Sequence, residues 1–347
     1  MTALEDLVED TRRKWAPEPR TSIFEVRLDV RPGAVAFVGI TTEPEGAAEL
    51  LAHAARRADG RAILDEIVRL PDPVFGDECW AVVRAGVAPV HAAPDVRSTQ
   101  VTQYVLGSRL QLLVPSERWI RVRGEDGYLG WVNRGYLRTG GADWADAWWT
   151  GDGLEPVVSL GTVLVDEAGA PAARLPWGAR AARDVQGRVR LPDGAVGIPV
   201  HGELVAADLL PERFPRLGES IVGSAHAWIG APYVWGGVTM GGVDCSGLVQ
   251  AVYRMHGVTL PRDAELQCHV GVPVDAGRDF SRLRPGDLLF FTESPGRITH
   301  VALGAGGSRI IHSALANGGV GTNDLCGDGG FEPRLREMFV SARRVLD

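Results

Sequence analysis

The feature that most constrains the fold is a series of short apolar runs, separated by turn residues, between residues 79 and 138. The runs include "WAVVRAGVAPV", "QYVLG" and "LQLLVP", and "GEDGYLGWV" combines a hairpin turn with the strand that follows it. Short strands at regular spacing are typical of a small β-barrel. Residues 153–210 repeat this texture, so we predict a second, degenerate barrel after the first.

The segments on either side of the barrels mix helix and strand patterns. Before them, "SIFEVRLDV" and "AVAFVGI" alternate like strands paired around the turn "RPG", and "EPEGAAELLAHAARRA" has leucines at helical spacing. After them, helical patterns precede strand patterns such as "LRPGDLLFF", which predicts an α+β domain. We therefore divide the chain into a small α/β unit at 1–75, barrels at 76–140 and 141–212, and an α+β domain at 213–347.

Charge and composition exclude several classes of function. The 347-residue chain has a formal net charge of −8 and no basic run, so nucleic acid and anionic membranes are poor candidates as partners. Its single lysine, Lys14, lies in an N-terminal segment that we expect to be frayed. Walker-type phosphate loops, Schiff-base enzymes and Ser–Lys dyads all need a lysine at the site, so these classes are disfavoured.

The cysteines and the N-terminal segment bear on the cellular compartment. Four cysteines without CxxC spacing are too sparse for a disulfide framework. The first residues, "MTALEDLVEDTRRKWAPEPR", lack the apolar core of a signal peptide, and no apolar run approaches the length of a membrane span. We therefore expect a soluble cytoplasmic protein with reduced thiols.

The segment "GGVDCSGLVQAVYRMHG" predicts that Cys245 begins a helix. Asp244 is a natural N-cap, Gly257 is a natural stop, and the apolar residues between them recur on one helix face. The unpaired N–H groups at a helix N-terminus favour a thiolate and can hold a developing oxyanion. Glycines on both sides of the cysteine, Gly241, Gly242 and Gly247, would let a substrate backbone approach closely.

Two histidines in "ITHVALGAGGSRIIHSA" are candidate partners of the thiol. His300 and His312 flank a glycine-rich turn centred on Gly306, so a symmetric hairpin would place them directly opposite each other across two strands. Directly opposed side chains have Cβ atoms about 4.5–5.5 Å apart. At that spacing one imidazole can act as the base and the other can orient it.

Other interpretations of these residues stay open at this point. A lone cysteine is most often an inert buried residue, which is our interpretation of Cys79, Cys268 and Cys326. A zinc site that uses the two histidines would need a third ligand, and neither HExxH nor CxxC supports one. The glycines of "GGVTMGGVDCSG" lack the GK[ST] ending of a phosphate loop.

Together these segments resemble the NlpC-type cell-wall cysteine peptidases, a papain-related superfamily. The resemblance covers about residues 218–345 and rests on "APYVWGG", "GGVDCSGLVQAVYRMHGVTLPRDAELQ", "RLRPGDLLFF" and "ITHVALGAGGSRIIHSA". It implies that Cys245 is the nucleophile, His300 the base and His312 the polar residue that orients the base. It also implies that Tyr233, in "PYVWGG", lies beside the nucleophile, where its hydroxyl can bind the thiol or the oxyanion.

Two SH3-like barrels precede the peptidase-like domain. In this arrangement the chain resembles the γ-D-glutamyl-L-diamino acid endopeptidases that recycle murein peptides. In that group the first barrel blocks one end of the cleft, so that only peptides with a free N-terminal L-Ala enter. The group has an acidic residue shortly before "VTQ" for the substrate amine, whereas this sequence has Thr99 and Gln100. Asp244 is the alternative carboxylate. The resemblance also assigns substrate contacts to a further set of residues: Tyr128, Trp235, Ser246, Arg262 and Asp263.

We therefore expect a cysteine endopeptidase that cuts the bond between γ-D-Glu and the diamino acid of small murein peptides, without a metal or cofactor. An acyl transferase or amidase would use the same Cys–His–His site, and a murein-fragment binding protein would use the barrels alone. The sequence leaves the preferred diamino acid and the oligomeric state open. The α/β unit carries no recognisable chemistry, and we interpret it as scaffold.

Overall fold

The computed structural model describes residues 2–294 and 296–346. Its N-terminal unit contains helices α1 (Thr2–Trp15) and α2 (Pro44–Arg56) and strands β1 (Phe24–Arg31), β2 (Ala34–Thr41) and β3 (Ala62–Arg69). The central strand β2 pairs with β1 in antiparallel and with β3 in parallel orientation. The predicted hairpin and helix are therefore present, and the last segment of the unit is a strand.

Helix α1 is an element that the sequence analysis missed. Its Leu4 and Leu7 are buried in the core that the unit forms with α2, and Lys14 makes an ion pair with Glu49 of α2 at 2.6 Å. The expectation of a frayed N-terminus was wrong, because the apolar face of a short amphipathic helix is stabilised by packing rather than by its own propensity.

The first barrel consists of seven strands in the order β10-β4-β7-β8-β9-β5-β6. Side chains that alternate along these strands, such as Leu110, Leu112 and Val122, are fully or almost fully buried in its core, as period-two packing requires. The strands are β4 (Trp80–Val83), β5 (Val87–His91), β6 (Gln100–Val105), β7 (Arg109–Ser116), β8 (Trp119–Gly124), β9 (Leu129–Asn133) and β10 (Leu137–Gly140).

The short helix α3 (Ala142–Ala147) leads into a second unit of five strands. Two long strands form a hairpin, and the first of them also pairs with the last two, so that the sheet curls back on itself. The prediction of a second compact β unit is consistent with this arrangement. The strands are β11 (Leu154–Val165), β12 (Pro171–Asp184), β13 (Val189–Arg190), β14 (Val196–His201) and β15 (Leu204–Ala206).

The C-terminal domain combines a six-stranded sheet, in the order β18-β23-β19-β20-β21-β22, with helices that pack against it. Its helices are α4 (Leu210–Arg213), α5 (Gly218–His226), α6 (Cys245–Met255), α7 (Ala264–Gln267) and α8 (Glu332–Met338). Its strands are β16 (Val238–Thr239), β17 (Gly242–Val243), β18 (Val272–Val274), β19 (Leu288–Phe291), β20 (His300–Gly306), β21 (Arg309–Ala314), β22 (Gly319–Asp324) and β23 (Phe339–Arg344).

Helix α6 lies at the centre of the largest apolar core. Leu248 and Val252 of α6 pack with Leu303 of the sheet and with Trp177 of the second barrel. The predicted apolar face is buried, but so are Gln250 and Ala251 outside it, because the helix is covered by the sheet, the barrels and α5. Across residues 2–294 and 296–346, no helix is both long and apolar enough to cross a membrane.

Candidate active site

Cys245 is the first residue of α6, as the sequence predicts. The side chain of Asp244 caps the helix by accepting a hydrogen bond from the backbone N–H of Gly247 at 2.7 Å. Gly257, just past the end of the helix, has φ +69°, in the left-handed region that ends many helices. The Cys245 side chain is buried at the bottom of the site, with 8% of its surface exposed.

Gly242 and Gly247 serve chain packing rather than substrate access, whereas a Cβ atom on Gly241 would come no closer than 3.6 Å to its nearest neighbour, Oγ1 of Thr239. A Cβ atom on Gly247 would lie 2.2 Å from the carbonyl oxygen of Gly237, and one on Gly242 would lie 2.4 Å from the Val234 side chain. The prediction that these two glycines admit a substrate backbone was therefore wrong. They allow the turn before α6 to fold tightly beneath the cysteine.

The resting state of the thiol also differs from the prediction. Burial raises the pKa of Cys245 to about 12, and the negative charge of Asp244 acts in the same direction. The backbone N–H groups of Val301 and Ser246 lower this pKa but do not outweigh burial. A helix N-terminus favours a thiolate most where water also solvates the charge, and here the helix end is covered. Burial and the Asp244 carboxylate therefore oppose the thiolate, although the charge of Arg262 favours it.

Strands β20 and β21 carry the two histidines, in a register that the sequence analysis did not predict. Leu303 pairs with Ile311, and an irregularity follows between Gly304 and Gly306. Continued along the strands, this register places His300 diagonal to His312 rather than opposite it. The two rings still meet, because diagonal neighbours on one sheet face are within reach of aromatic side chains. Nε2 of His300 lies 2.7 Å from Nδ1 of His312.

A row of polar groups continues beyond His312. Its Nε2 lies 2.8 Å from Oδ1 of Asn323 on β22. Nδ2 of Asn323 donates to Oε1 of Glu332 at 3.0 Å, and Nδ2 of Asn317 donates to Oδ1 of Asn323 at 2.8 Å. The sequence analysis missed these three residues. Extending the predicted hairpin by one strand would have found Asn323, because β22 follows β21 directly.

Both histidines are neutral in this environment. Burial lowers the pKa of His300 to about 3, and the proximity of His312 adds to the effect. Burial also lowers the pKa of His312, while the hydrogen bond to Asn323 acts against that change. The hydrogen bonds of Cys245 and His300 run to backbone N–H groups and to His312, and the thiol lies beside Val301, the residue after His300. The hydrogen bond between a catalytic thiol and its base often forms or shortens only when substrate binds.

Tyr233 and Trp235 form the rim of the site. Tyr233 forms a β-bridge with Val243, two residues before the cysteine, and burial raises the pKa of its hydroxyl. Trp235 is 64% exposed, and its backbone carbonyl accepts a hydrogen bond from Gln100 of the first barrel at 2.9 Å. A large exposed aromatic side chain beside a buried thiol is suited to contact a substrate.

Three residues that we predict to bind substrate, Asp244, Ser246 and Arg262, form a buried cluster. Arg262 is 1% exposed, and its guanidinium donates to both carboxylate oxygens of Asp244 at 2.6 and 3.0 Å. It also donates to Oγ of Ser246 at 2.8 Å and to Oγ1 of Thr102 in the first barrel at 2.7 Å. Asp244 thus has an internal partner and a capping role, and its role as the amine-binding carboxylate stays a prediction.

The remaining two predicted residues meet at the junction of three units. The hydroxyl of Tyr128, from the first barrel, donates to Oδ2 of Asp263 at 3.0 Å. Arg20, from the N-terminal unit, donates to the same oxygen at 3.0 Å and to Glu265 at 3.0 Å. Sequence reasoning missed Arg20, since no local pattern links it to a residue more than two hundred positions away. The α/β unit thus contacts the C-terminal domain through Arg20, and its interpretation as scaffold stays a prediction.

The cysteine at a capped helix end and the histidine pair on the adjoining strands agree with comparisons to known proteins. A model described as the NlpC/P60 family matches residues 230–338, which span Cys245, His300 and His312. The C-terminal domain is an NlpC/P60 domain. A second model, described as a bacterial dipeptidyl-peptidase Sh3 domain, matches residues 90–137 within the first barrel. The classification of the second barrel as SH3-like stays a prediction.

Curated relatives share the NlpC/P60 region. A gamma-D-glutamyl-L-lysine dipeptidyl-peptidase of Bacillus cereus is 35% identical over 130 residues, which are 37% of this chain and 36% of that protein. The protein of the same name from Bacillus subtilis is 39% identical over 27% of this chain and 31% of its own length. The chain thus spans about a third of these two relatives. Dipeptidyl-peptidase 6 of Lysinibacillus sphaericus is 28% identical over 71% of this chain and 91% of its length.

Solved structures extend the likeness in fold to more than one domain. The crystal structure of an NlpC/P60 family protein from Bacillus cereus covers 77% of this chain and all of its own, with a TM-score of 0.64 and 24% identity. An NlpC/P60 endopeptidase from Photobacterium damselae covers 76% of this chain and 70% of its own, with a TM-score of 0.57 and 16% identity. A match over three quarters of the chain means that the NlpC/P60 domain and neighbouring units share an arrangement with both proteins.

Proposed function

We propose that this protein is a cysteine peptidase that hydrolyses the bond between γ-D-glutamate and the diamino acid of small murein peptides. The observation that carries the proposal is the position of Cys245 at the N-terminus of α6, beside the strand that begins with His300. His300 is hydrogen-bonded to His312 through Nε2, which leaves Nδ1 for the thiol. The names of the Bacillus relatives support the γ-D-glutamyl specificity.

The geometry supports acyl transfer through a thioester. On substrate binding, His300 takes the thiol proton and the sulfur attacks the γ-carbonyl carbon, which gives a tetrahedral oxyanion. We assign that oxygen to the backbone N–H groups at the start of α6 and to the hydroxyl of Tyr233. His300 then returns the proton to the leaving amine of the diamino acid. Water hydrolyses the thioester and restores the thiol. The second product is the remaining peptide, in which the glutamate has a free γ-carboxylate.

Recognition of a free N-terminal L-Ala is part of the proposal. Thr99 and Gln100 supply no carboxylate for the amine. The side chain of Asp263 is 26% exposed, compared with 9% for Asp244, and only one of its oxygens accepts the bonds from Tyr128 and Arg20. We therefore assign the amine to Asp263, with the first barrel as a gate. We also propose that the second barrel is SH3-like and that the protein recycles murein peptides in the cytoplasm.

The test is mass spectrometry of the full chain incubated with L-Ala-γ-D-Glu-meso-diaminopimelate, the L-lysine analogue and the N-acetylated form of each. We expect loss of the diamino acid from the free peptides only, and no product with Cys245→Ala. Cleavage of the acetylated peptides as well would overturn the gate but keep the peptidase. Transfer to an added amine in place of hydrolysis would favour an acyl transferase. Binding without turnover in the parent would favour a murein-fragment binding protein.

A further inference from the structure

We propose that Asn323 and Glu332 are positioning residues that fix the tautomers of the histidine pair, so that Nδ1 of His300 presents its lone pair to Cys245. This proposal deepens the proposed function and rests on it. Four side chains, from His300 to Glu332, form one hydrogen-bonded row, and Cys245 lies next to its inner end, beside Val301. From the inner end outward the four are His300, His312, Asn323 and Glu332.

Glu332, at the outer end of the row, fixes the orientation of the Asn323 amide. An ionised carboxylate can only accept hydrogen bonds, so the atom of Asn323 that faces Glu332 must be its NH₂ group. That contact is 3.0 Å long. The amide oxygen of Asn323 is thereby turned toward His312, at 2.8 Å from Nε2. The amide of Asn317 donates to the same oxygen at 2.8 Å, which supports this orientation.

The orientation of Asn323 determines both rings. A neutral imidazole has one N–H donor and one acceptor nitrogen. Nε2 of His312 lies 2.8 Å from Oδ1 of Asn323 and 3.2 Å from Nδ2 of Asn317. Because the shorter contact is to an oxygen, and Nδ2 of Asn317 already donates to that oxygen, His312 carries its proton on Nε2 and its Nδ1 becomes an acceptor. His300 must then donate from Nε2 across the 2.7 Å contact. Its Nδ1 is left without a proton, which is the state that a general base requires.

The sheet explains how residues far apart in sequence form a row. His300, His312 and Asn323 lie on the consecutive strands β20, β21 and β22, and Glu332 begins α8 after them. His312 pairs directly with Gly321, so Asn323 is its diagonal neighbour. A Cβ atom on Gly321 would lie 3.1 Å from the Asn317 amide. The absence of a side chain there lets both amides reach the ring.

The outer end of the row is accessible to solvent. Asn323 and Glu332 line an open cavity of about 420 Å³, which Arg309 and Asp324 also border. Glu332 is only half-buried, so substitutions there change the hydrogen bond without removing a core side chain. Glu337, on the same short helix and exposed to solvent, provides a matched control.

The first experiment measures kcat and KM on the free tripeptide. We expect Glu332→Ala to lower kcat about 10-fold, since the Asn323 amide loses a charge-assisted hydrogen bond and can turn over. Glu332→Gln retains an acceptor oxygen and should stay within about 2-fold of the parent. Asn323→Leu should lower kcat about 100-fold, the lower range of a general base's contribution. KM should change little in each variant, and Glu337→Ala should match the parent. Equal losses in Glu332→Ala and Glu337→Ala would overturn the proposal.

The second experiment reads the tautomers directly, by ¹⁵N NMR of histidine-labelled full chain. We expect Nε2–H signals for His300 and His312 in the parent and in Glu332→Gln, and mixed tautomers in Asn323→Leu. Unchanged tautomers in Asn323→Leu, or an Nδ1–H signal from His312 in the parent, would overturn the proposal. This measurement needs no substrate, so it separates a failure of the row from a failure of the proposed peptidase activity.

Discussion

The first barrel reaches the C-terminal domain through polar groups, whereas the second packs against it through apolar side chains. Thr102, Gln100 and Tyr128 of the first barrel hydrogen-bond Arg262, the Trp235 carbonyl and Asp263. In the second barrel, Trp177 packs edge-to-face on Phe214 and Trp228, with ring centroids 5.8 and 6.0 Å away.

The contact of the first barrel with the C-terminal domain (the first contact) and that of the second barrel (the second contact) differ in their distance from the candidate active site. The partners of the first barrel are neighbours of Cys245 or border the rim of the site, whereas Trp177 belongs to the core beneath α6. Directional polar contacts fix orientation and specificity, while apolar burial supplies stability. The comparison therefore predicts that changes at the first contact alter catalysis or substrate choice, and that changes at the second alter the free energy of unfolding.

The largest effect is expected from Arg262→Met, because Arg262 belongs to the site and to the first contact at once. It would leave the buried Asp244 carboxylate without its positively charged partner, which costs about 3–5 kcal/mol. It would also release Thr102 and disturb the N-cap beneath Cys245, so kcat/KM should fall as well. Urea unfolding and peptide cleavage measure both effects. Adding Asp244→Asn, which keeps a capping side chain, should restore part of the stability. A double variant no more stable than the single one would contradict this account.

Trp177→Ala tests the second contact in isolation. Loss of a buried tryptophan should lower the free energy of unfolding by about 3–5 kcal/mol. The kcat/KM of the molecules that remain folded should not change, because no atom of Trp177 is required at the site. Urea unfolding followed by active-site titration would measure both quantities, with Trp177→Phe as the conservative control. A selective loss of kcat in Trp177→Ala would break the comparison.

Sequence patterns predicted the elements of the site better than they predicted the register between its strands. The cap at Asp244, the helix that begins at Cys245 and the stop at Gly257 follow from local chemistry, and all three are present. The register between His300 and His312 did not follow. A run such as "GAGGS" allows several hairpin geometries, and the irregularity after Gly304 shifts one strand.

Long-range contacts explain the other differences. Arg20 donates a hydrogen bond to Asp263, which is 243 positions later in the sequence. A sequence pattern of a few residues carries no information about such a pair. The pKa of Cys245 depends on burial, which only the assembled domains create. Motifs could therefore predict which residue types the site contains, but not which of them face the substrate and which face one another.

Tyr128→Phe sharpens the comparison at the first contact with a smaller change. It removes the hydroxyl that donates to Asp263 but keeps the ring, so stability should change by no more than about 1 kcal/mol. If Asp263 binds the substrate amine, KM for the free tripeptide should rise about 5- to 10-fold at nearly constant kcat. Tyr136→Phe, in the same barrel but packed against its own core, is the control. A similar change in both variants would argue against a role for Tyr128 in specificity.

The smallest expected effect is on the pH dependence of folding stability, through His256 beside the second contact. Phe214 contacts His256 as well as Trp177, and burial lowers the pKa of His256 below its usual value near 6.5. As the pH falls through that usual value, the unfolded chain binds a proton that the folded chain does not. Folding stability from this residue is therefore greatest above pH 6.5 and is lost as the pH falls.

The urea midpoint of the parent should thus decrease between pH 7 and pH 5, and His256→Gln should decrease less. His300 and His312 also have lowered pKa values, so the comparison must be between slopes rather than absolute midpoints. If His256→Gln retains the full pH dependence, the acid-sensitive groups lie at the site rather than at the second contact. Protonation of His300 and His312 in the unfolded chain would then account for the loss of stability in mild acid.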